Sequence, residues 1–461
     1  MKREFSRRPA LLIAAAFMVG LVAREQLFLA LGLPLLIWLC ERRWAMASVV
    51  GFAVLGLLLS PGWAERETVR RPFEGIATVQ EPPRLSRQGQ VCEVEAGDRF
   101  YTLWAPREPS LATGDQLRIR GEVRPLRESM LEIGSFRQVV GSIRLEPDGL
   151  EVVRAGAAVW RPGILWRNSF VDYVDTQLSQ TAASAVNALC FNVTADLDRE
   201  TYENLQRTGT IHIVSASGLH VLIFAAGISA LAALLPIPRG WRLVLIFGIL
   251  AFYAMGAGMR PPVVRAVLMA ALLGASTLLR REPDLLSAVG ISAILYLLWR
   301  PEAVYDIGFQ FSFVTVSALG MFLPLREELP EAPLRRLFAE AKEVGRASLV
   351  ATLASAPLTA YYFGMVSIVS VPANVLIATA LPFLTLTAFF AHGVSFVWPA
   401  LSMGLLKVVV EPLVGWILWV AEVFGSLDFA ALSTPAFSAW WLAPVYGIGL
   451  LIWRPRARPS P

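Results

Sequence analysis

The sequence predicts a polytopic α-helical membrane protein of about 11–12 spans plus a re-entrant segment, with a small OB-like β-barrel inserted near the N-terminus. Three observations carry that prediction. The 461 residues are 55% hydrophobic and 17% charged, whereas a soluble chain carries about a quarter charged residues. Apolar runs of bilayer-spanning length recur along most of the chain. Between residues 64 and 156 those runs vanish and an alternation of period two replaces them. The resulting division is N-terminal transmembrane helices at 1–63, the β domain at 64–156, an amphipathic interfacial helix and linker at 157–211, and the main transmembrane domain at 212–461.

The first stretch, MKREFSRR followed by LLIAAAFMVGLVA, has the basic start and apolar run of a signal peptide. The apolar character resumes at Leu27–Cys40 and again at Met46–Leu59, which favours an uncleaved anchor of short spans. A basic N-terminus stays cytoplasmic, so three crossings put the β domain on the extracytoplasmic side. One long helix from Ala10 to Cys40 would reverse that parity.

In the β domain FEGIATVQE, QVCEVEA, RFYTLWAP, QLRIRGEVRP, VVGSIRLEP and LEVVRAG read as short strands parted by Gly, Pro and Asp turns. Five or six strands suit a Greek-key barrel, and barrels of this kind bind single-stranded nucleic acid through aromatics and a basic groove. Phe100, Tyr101 and Trp104 are the residues that would form such a platform; three aromatics in a small barrel equally serve as core. Arginines and acids nearly balance here, so no basic excess favours the platform. Cys92 stands alone in the domain, and Cys40 and Cys190 lie outside it, so no disulfide is expected.

From Trp160 to Leu189 apolar residues recur at helical intervals opposite Arg161, Arg167, Asn168, Asp172 and Asp175, the pattern of an amphipathic helix lying at a membrane surface or packed on the barrel. Further spans follow at 212–236, 241–258, 262–280, 284–299, 305–325, 347–363, 368–399, 401–424 and 437–453. The stretch 368–399 is long for one crossing, and Pro372, Asn374 and Pro382 interrupt it, which predicts a re-entrant half-helix followed by a span. Nine crossings from outside end inside, where the tail RPRARPSP belongs. Both termini are therefore expected in the cytoplasm.

The stretch RTGTIHIVSASGLHVLI (Arg207–Ile223) sets Thr210, His212, Ser215, Ser217 and His220 against an apolar run. Polar groups at the edge of a span are expensive unless they face a partner or water, and they usually mark a pathway. Arg260 falls on the outer side and Arg265 one turn into the next span; each either guides an anion or forms a structural pair, Arg265 with Asp306 for example. Asp306, Gln310 and Ser312 partly share a helix face, and Asn374 caps or lines the re-entrant turn. His212 and His220 lack the spacing and the companions of a metal pair, so no metal, no cofactor and no catalytic residue is expected. A Ser217–His220 hydrolase lacks its G-x-S-x-G elbow.

GTIHIVSASGLHV resembles the pattern of the ComEC-type competence proteins. RPPVVRAVLMAALLGASTLLRREPD (Arg260–Asp284), DIGFQFSF (Asp306–Phe313) and APLTAYYFGMVSIVSVPANVLIATALP (Ala356–Pro382) match in family order, and the resemblance extends over nearly the whole chain. It implies an inner-membrane channel taking single-stranded DNA into the cytoplasm during natural transformation, with an OB-like entrance domain and the competence channel domain at 212–461. Many members continue into a metallo-β-lactamase-like domain bearing a histidine-rich cluster; this sequence, with three histidines, resembles the form without it. The implied partners are single-stranded DNA, membrane lipid, and a separate nuclease, DNA receptor and motor. A transporter of another polyanion or solute is the alternative, and an intramembrane hydrolase a more distant one.

Overall fold

The computed structural model describes residues 8–23, 36, 43–60, 67–86, 89–126, 139–157, 159–214, 218–234, 236–280, 282, 284–323 and 333–452. Two apolar helices, α1 (Pro9–Ala23) and α2 (Arg43–Leu58), open it. They pack with almost no gap at Gly20 and Gly56: a Cβ on Gly20 would strike the Ala53 carbonyl, and one on Gly56 the Phe17 carbonyl. Small residues that let backbones touch are the usual adhesive between helices that gain nothing from burial against lipid.

The alternating segment forms β1 (Arg71–Val79), β2 (Arg84–Ser86), β3 (Gly89–Ala96), β4 (Arg99–Ala105), β5 (Gln116–Arg124) and β6 (Val139–Arg154). β1 pairs with β5 along Arg71–Thr78 and with β3 at Thr78 and Val79, which closes the sheet on itself. Five strands in the order β1-β3-β4-β6-β5-β1, with β4 parallel to β6 and the other pairs antiparallel, make an OB-like barrel. Its core holds Val94, Tyr101, Leu103, Leu117, Ile119 and Ile143. Cys92 and Cys190 are both buried and free.

Helix α3 (Arg161–Gln177) and helix α4 (Gln180–Phe191) occupy the amphipathic region, which sequence periodicity reads as one helix. The break falls at Leu178, which is extended, and Ser179, whose side chain caps α4 by accepting from the Ala182 N–H at 3.4 Å. Only α3 is amphipathic; every residue of α4 from Ala182 to Phe191 is buried. Helix α5 (Arg199–Arg207), capped by Asp198, leads through Thr208–Thr210 to a single turn, α6 (Ile211–Val214).

The remaining helices are α7 (Gly218–Ala233), α8 (Arg239–Gly256), α9 (Pro261–Leu278), α10 (Leu285–Trp299), α11 (Ile307–Phe322), α12 (Pro333–Phe363), α13 (Ser370–Ser395), α14 (Pro399–Gly425) and α15 (Leu442–Ile452). Among the described residues α8, α9, α13 and α14 are long and apolar enough to cross a membrane, and α1, α2, α7, α10 and α11 are shorter apolar helices. The predicted re-entrant half-helix is not seen: α13 runs unbroken for 26 residues through Pro372 and Pro382. Neighbouring helices, hydroxyl side chains and small local adjustments satisfy the backbone that a proline frees, so proline breaks a packed membrane helix less readily than its sequence weight suggests. Ahead of α13, β7 (Met365–Ser367) pairs with β8 (Ala431–Ser433).

An aromatic cluster of Trp166, Phe170, Phe191, Phe224, Tyr253 and Phe389 joins α3, α4, α7, α8 and α13, with Phe224 and Phe389 rings 4.5 Å apart. The barrel is fixed to this body by polar contacts. Buried Asp115 accepts from the Gly156 N–H at 2.6 Å and from Arg161 at 2.7 Å, and Arg107 pairs with Asp172 at 2.7 Å. Arg167, buried on α3, donates to the Pro83 carbonyl at 2.7 Å. Burial, and next the Arg107 charge, draw the Arg167 guanidinium down to about 10.

Candidate functional site: a chamber beneath the barrel

A cavity of about 1000 Å³ lies where the barrel meets the helices. Its walls come from α7, α9, α11, α12 and α13, and one end is formed by Glu81–Leu85 of the barrel. Lining residues on α9 run from Arg260 to Leu273, about 20 Å at 1.5 Å per residue. That is about two-thirds of a bilayer's hydrocarbon thickness.

The barrel end is charged. Arg84, Arg167, Arg260 and Arg300 line it together with Glu81, Glu302 and Asp306. Arg300, capping α10, pairs with Glu81 of the barrel and with Glu302 at 2.9 Å, so one guanidinium joins the two parts across the mouth. Asp306 spends its carboxylate on capping α11, accepting from the Phe309 N–H at 2.8 Å; an Arg265–Asp306 pair is not among the ion pairs of the described residues.

Arg260 and Arg265 are presented by a local device. Gly258 (φ 81°) and Met259 (φ 51°) both take the left-handed conformation, turning the chain so that Arg260 is extended before Pro261 and Pro262 start α9. Arg260 is then clasped: with the Asn192 amide set to donate to the Val214 carbonyl at 2.9 Å, its oxygen accepts from the Arg260 edge formed by Nε at 2.9 Å and Nη2 at 2.8 Å. Asn192 itself ends α4 in the left-handed conformation at φ 59°. Arg265 is different. Only 3% of it is exposed, it lies 5.4 Å from the centroid of the Phe313 ring, and its Nε and Nη1 have no hydrogen-bond partner among the described residues.

Away from the mouth the lining is hydroxylic. Ser348, Thr352, Ser355 and Thr359 face the cavity from α12, joined by Ser312 and Thr315 on α11 and Ser370 and Asn374 on α13. Thr352 bonds Ser370 at 3.1 Å, and Asn374 donates to Ser348 at 3.2 Å, so α12 and α13 are stitched along this wall.

Of the residues singled out from sequence, His212, Arg260, Arg265, Asp306 and Asn374 line the chamber together. His212 Nδ1 lies 3.0 Å from the Gly209 carbonyl. Thr210 is buried against Thr208, hydroxyl to hydroxyl at 2.7 Å, and His220 is buried on α7; neither lines the cavity. Gln310 lies off the wall too, donating to the Val304 carbonyl at 3.0 Å and accepting from Tyr362 at 2.7 Å. Ser215 and Ser217 fall outside the described residues. In the barrel the three aromatics do not share a face: Tyr101 is core, Phe100 packs by Leu126 and Val139, and Trp104 is 52% exposed on the outer wall. Among the described residues no cluster of His, Cys, Asp and Glu is arranged to hold a metal.

Sequence reasoning missed the hydroxyl stripe and the charged mouth. The stripe is legible, because Ser348, Thr352, Ser355 and Thr359 fall at i, i+4, i+7 and i+11 of one helix. Arg84, Arg300, Glu81 and Glu302 meet only through docking of the barrel, and no local pattern announces them.

Comparison with known proteins agrees with this architecture. Over 223 residues the chain is 29% identical to ComE operon protein 3 of Bacillus subtilis, covering 48% of this chain and 27% of that protein. Over 393 residues it is 27% identical to competence protein ComA of Neisseria gonorrhoeae, covering 78% of this chain and 54% of that protein. The chain thus spans between about a quarter and about half the length of these relatives. No solved structure matches it significantly. The profile described as Competence protein matches residues 189–459, the part that builds most of the chamber, and the chain belongs to that family.

Proposed function

We propose that the chain is an inner-membrane channel through which single-stranded DNA enters the cytoplasm during natural transformation, with the chamber as its path. The observation that carries this reading is a cavity, charged at its barrel end and lined with hydroxyls, within the helices of a competence-family protein. A phosphodiester leaving water for a low-dielectric path needs cations and hydroxyl donors in exchange. Four arginines offset by three acids at the mouth attract the backbone without trapping it, and conduction requires sites weak enough to leave. In this reading the barrel stands on the extracytoplasmic side, both termini lie in the cytoplasm, and a DNA receptor, a nuclease and a motor act alongside.

The test follows labelled duplex DNA in the native host, wild type against a deletion of the gene, scoring surface label separately from cytoplasmic single strands. Label that accumulates outside and no longer enters is the expected result. Undiminished entry in the deletion strain overturns the reading and turns attention to the transport of another polyanion.

A further inference from the structure

We infer that the chamber holds one discrete phosphodiester-binding station, formed by Arg265 with the hydroxyl stripe of α12 that lines the same cavity, and that Arg260 is its scaffold rather than a ligand group. The inference rests on the channel reading and assigns within it which arginine touches the strand.

The two arginines differ in how their hydrogen-bonding capacity is spent. Arg260 turns its Nε–Nη2 edge to the Asn192 oxygen, so that edge of the fork is already occupied. Arg265 sits five residues further along α9 and belongs to the cavity lining; only 3% of it is exposed, and its Nε and Nη1 are enclosed with no hydrogen-bond partner among the described residues. A buried guanidinium without acceptors is costly to maintain, and a planar fork with open N–H groups is the geometry that takes a phosphate bidentately. The Phe313 ring, 5.4 Å from the guanidinium at its centroid, and Gly218, which lies against Nη2, hold the side chain in place. Ser348, Thr352, Ser355 and Thr359 add neutral hydroxyls to the lining of the same cavity, those of Ser355 and Thr359 donating to backbone carbonyls of α12. One strong contact among weak ones gives a site that the strand occupies briefly and leaves. No base-reading group is needed, so the station takes the sugar–phosphate chain irrespective of sequence.

The experiment uses the purified full chain in nanodiscs, with fluorescein-labelled oligodeoxythymidylate and, in parallel, inorganic polyphosphate. Affinity is measured across a salt series for wild type, Arg265→Gln and Arg265→Lys. The expected result is a loss of about tenfold or more in affinity for Arg265→Gln, with the slope of log affinity on log salt reduced by about 0.7, the value for one phosphate of a single strand. Arg265→Lys keeps the slope and loses part of the affinity, because the point charge survives and the fork does not. Where Arg265→Gln does not accumulate, Arg265→Lys decides: weaker binding at unchanged slope supports the station, and unchanged binding overturns it. Wild-type affinity and slope in Arg265→Gln overturn the station while leaving the channel reading intact. Arg265-dependent binding of polyphosphate without binding of DNA keeps the station and removes DNA as its substrate. A wild type that binds neither probe overturns both.

Discussion

Asn192→Ala removes two things at once. It takes away the only acceptor seen among the described residues for the Nε–Nη2 edge of Arg260, and it places alanine at φ 59°. Stranding a buried charged donor costs about 1–3 kcal/mol, and an alanine in the left-handed region costs about 1–2 kcal/mol. The sum, about 2–5 kcal/mol, is a large share of the 5–15 kcal/mol that typically separates folded from unfolded chains. Asn192→Gly separates the contributions, because glycine accepts the conformation and lacks only the amide. The ranking wild type, then glycine, then alanine is therefore expected, with glycine about 1 kcal/mol above alanine. Heating detergent-solubilised protein and following the monodisperse fraction reads this as a ladder of midpoints, a few degrees apart in total. Both variants melting with wild type would refute the clasp. Equal losses in the two would refute the conformational part alone.

Three further outcomes follow from the same contacts. Arg300→Ala leaves Glu81 and Glu302 facing each other without their shared cation, so limited proteolysis between barrel and helices is expected to quicken while the barrel stays intact. Glu93 on β3 is held protonated above the usual carboxylate range, first by burial and then by Glu81, with Arg84 and Arg300 opposing. The folded barrel then keeps a proton that the unfolded chain releases near pH 4.3, so its stability falls as pH rises above that point, and Glu93→Gln is expected to flatten the pH dependence of unfolding. Trp104, exposed on the outer wall, is expected to tolerate alanine with melting unchanged within about 0.5 kcal/mol; a loss of about 1–3 kcal/mol in oligonucleotide affinity would identify it as a stacking group.

The barrel was the most legible part of the chain, because period-two alternation and turn residues announce strands without knowledge of their neighbours. That same alternation sorts Tyr101 into the core and Trp104 outward, a distinction lost when the three aromatics are weighed as a set. Helix boundaries were harder. Leu178 and Ser179 interrupt a helix whose two halves share one apolar periodicity, so only the Ser179 cap marks the break. Pro372 and Pro382 look like breakers in sequence, yet packing against α12 and α14 carries α13 through them. The chamber was legible in parts. Its polar gate residues and two arginines stand out against apolar surroundings, but whether an arginine is clasped or open depends on Asn192, far away in sequence, and on a fold that brings it there.

The most direct test of the central claim asks whether DNA passes through this chamber. A cysteine at Ser355, on the stripe of α12, would be introduced into a chain whose Cys40, Cys92 and Cys190 are replaced by alanine, in a competent host. A membrane-impermeant thiol reagent added before DNA is expected to stop entry into the cytoplasm while surface binding persists, and a strand stalled in transit is expected to protect the cysteine from labelling. A cysteine that is fully modified while DNA enters at the normal rate would contradict the account, for the strand would then be passing elsewhere.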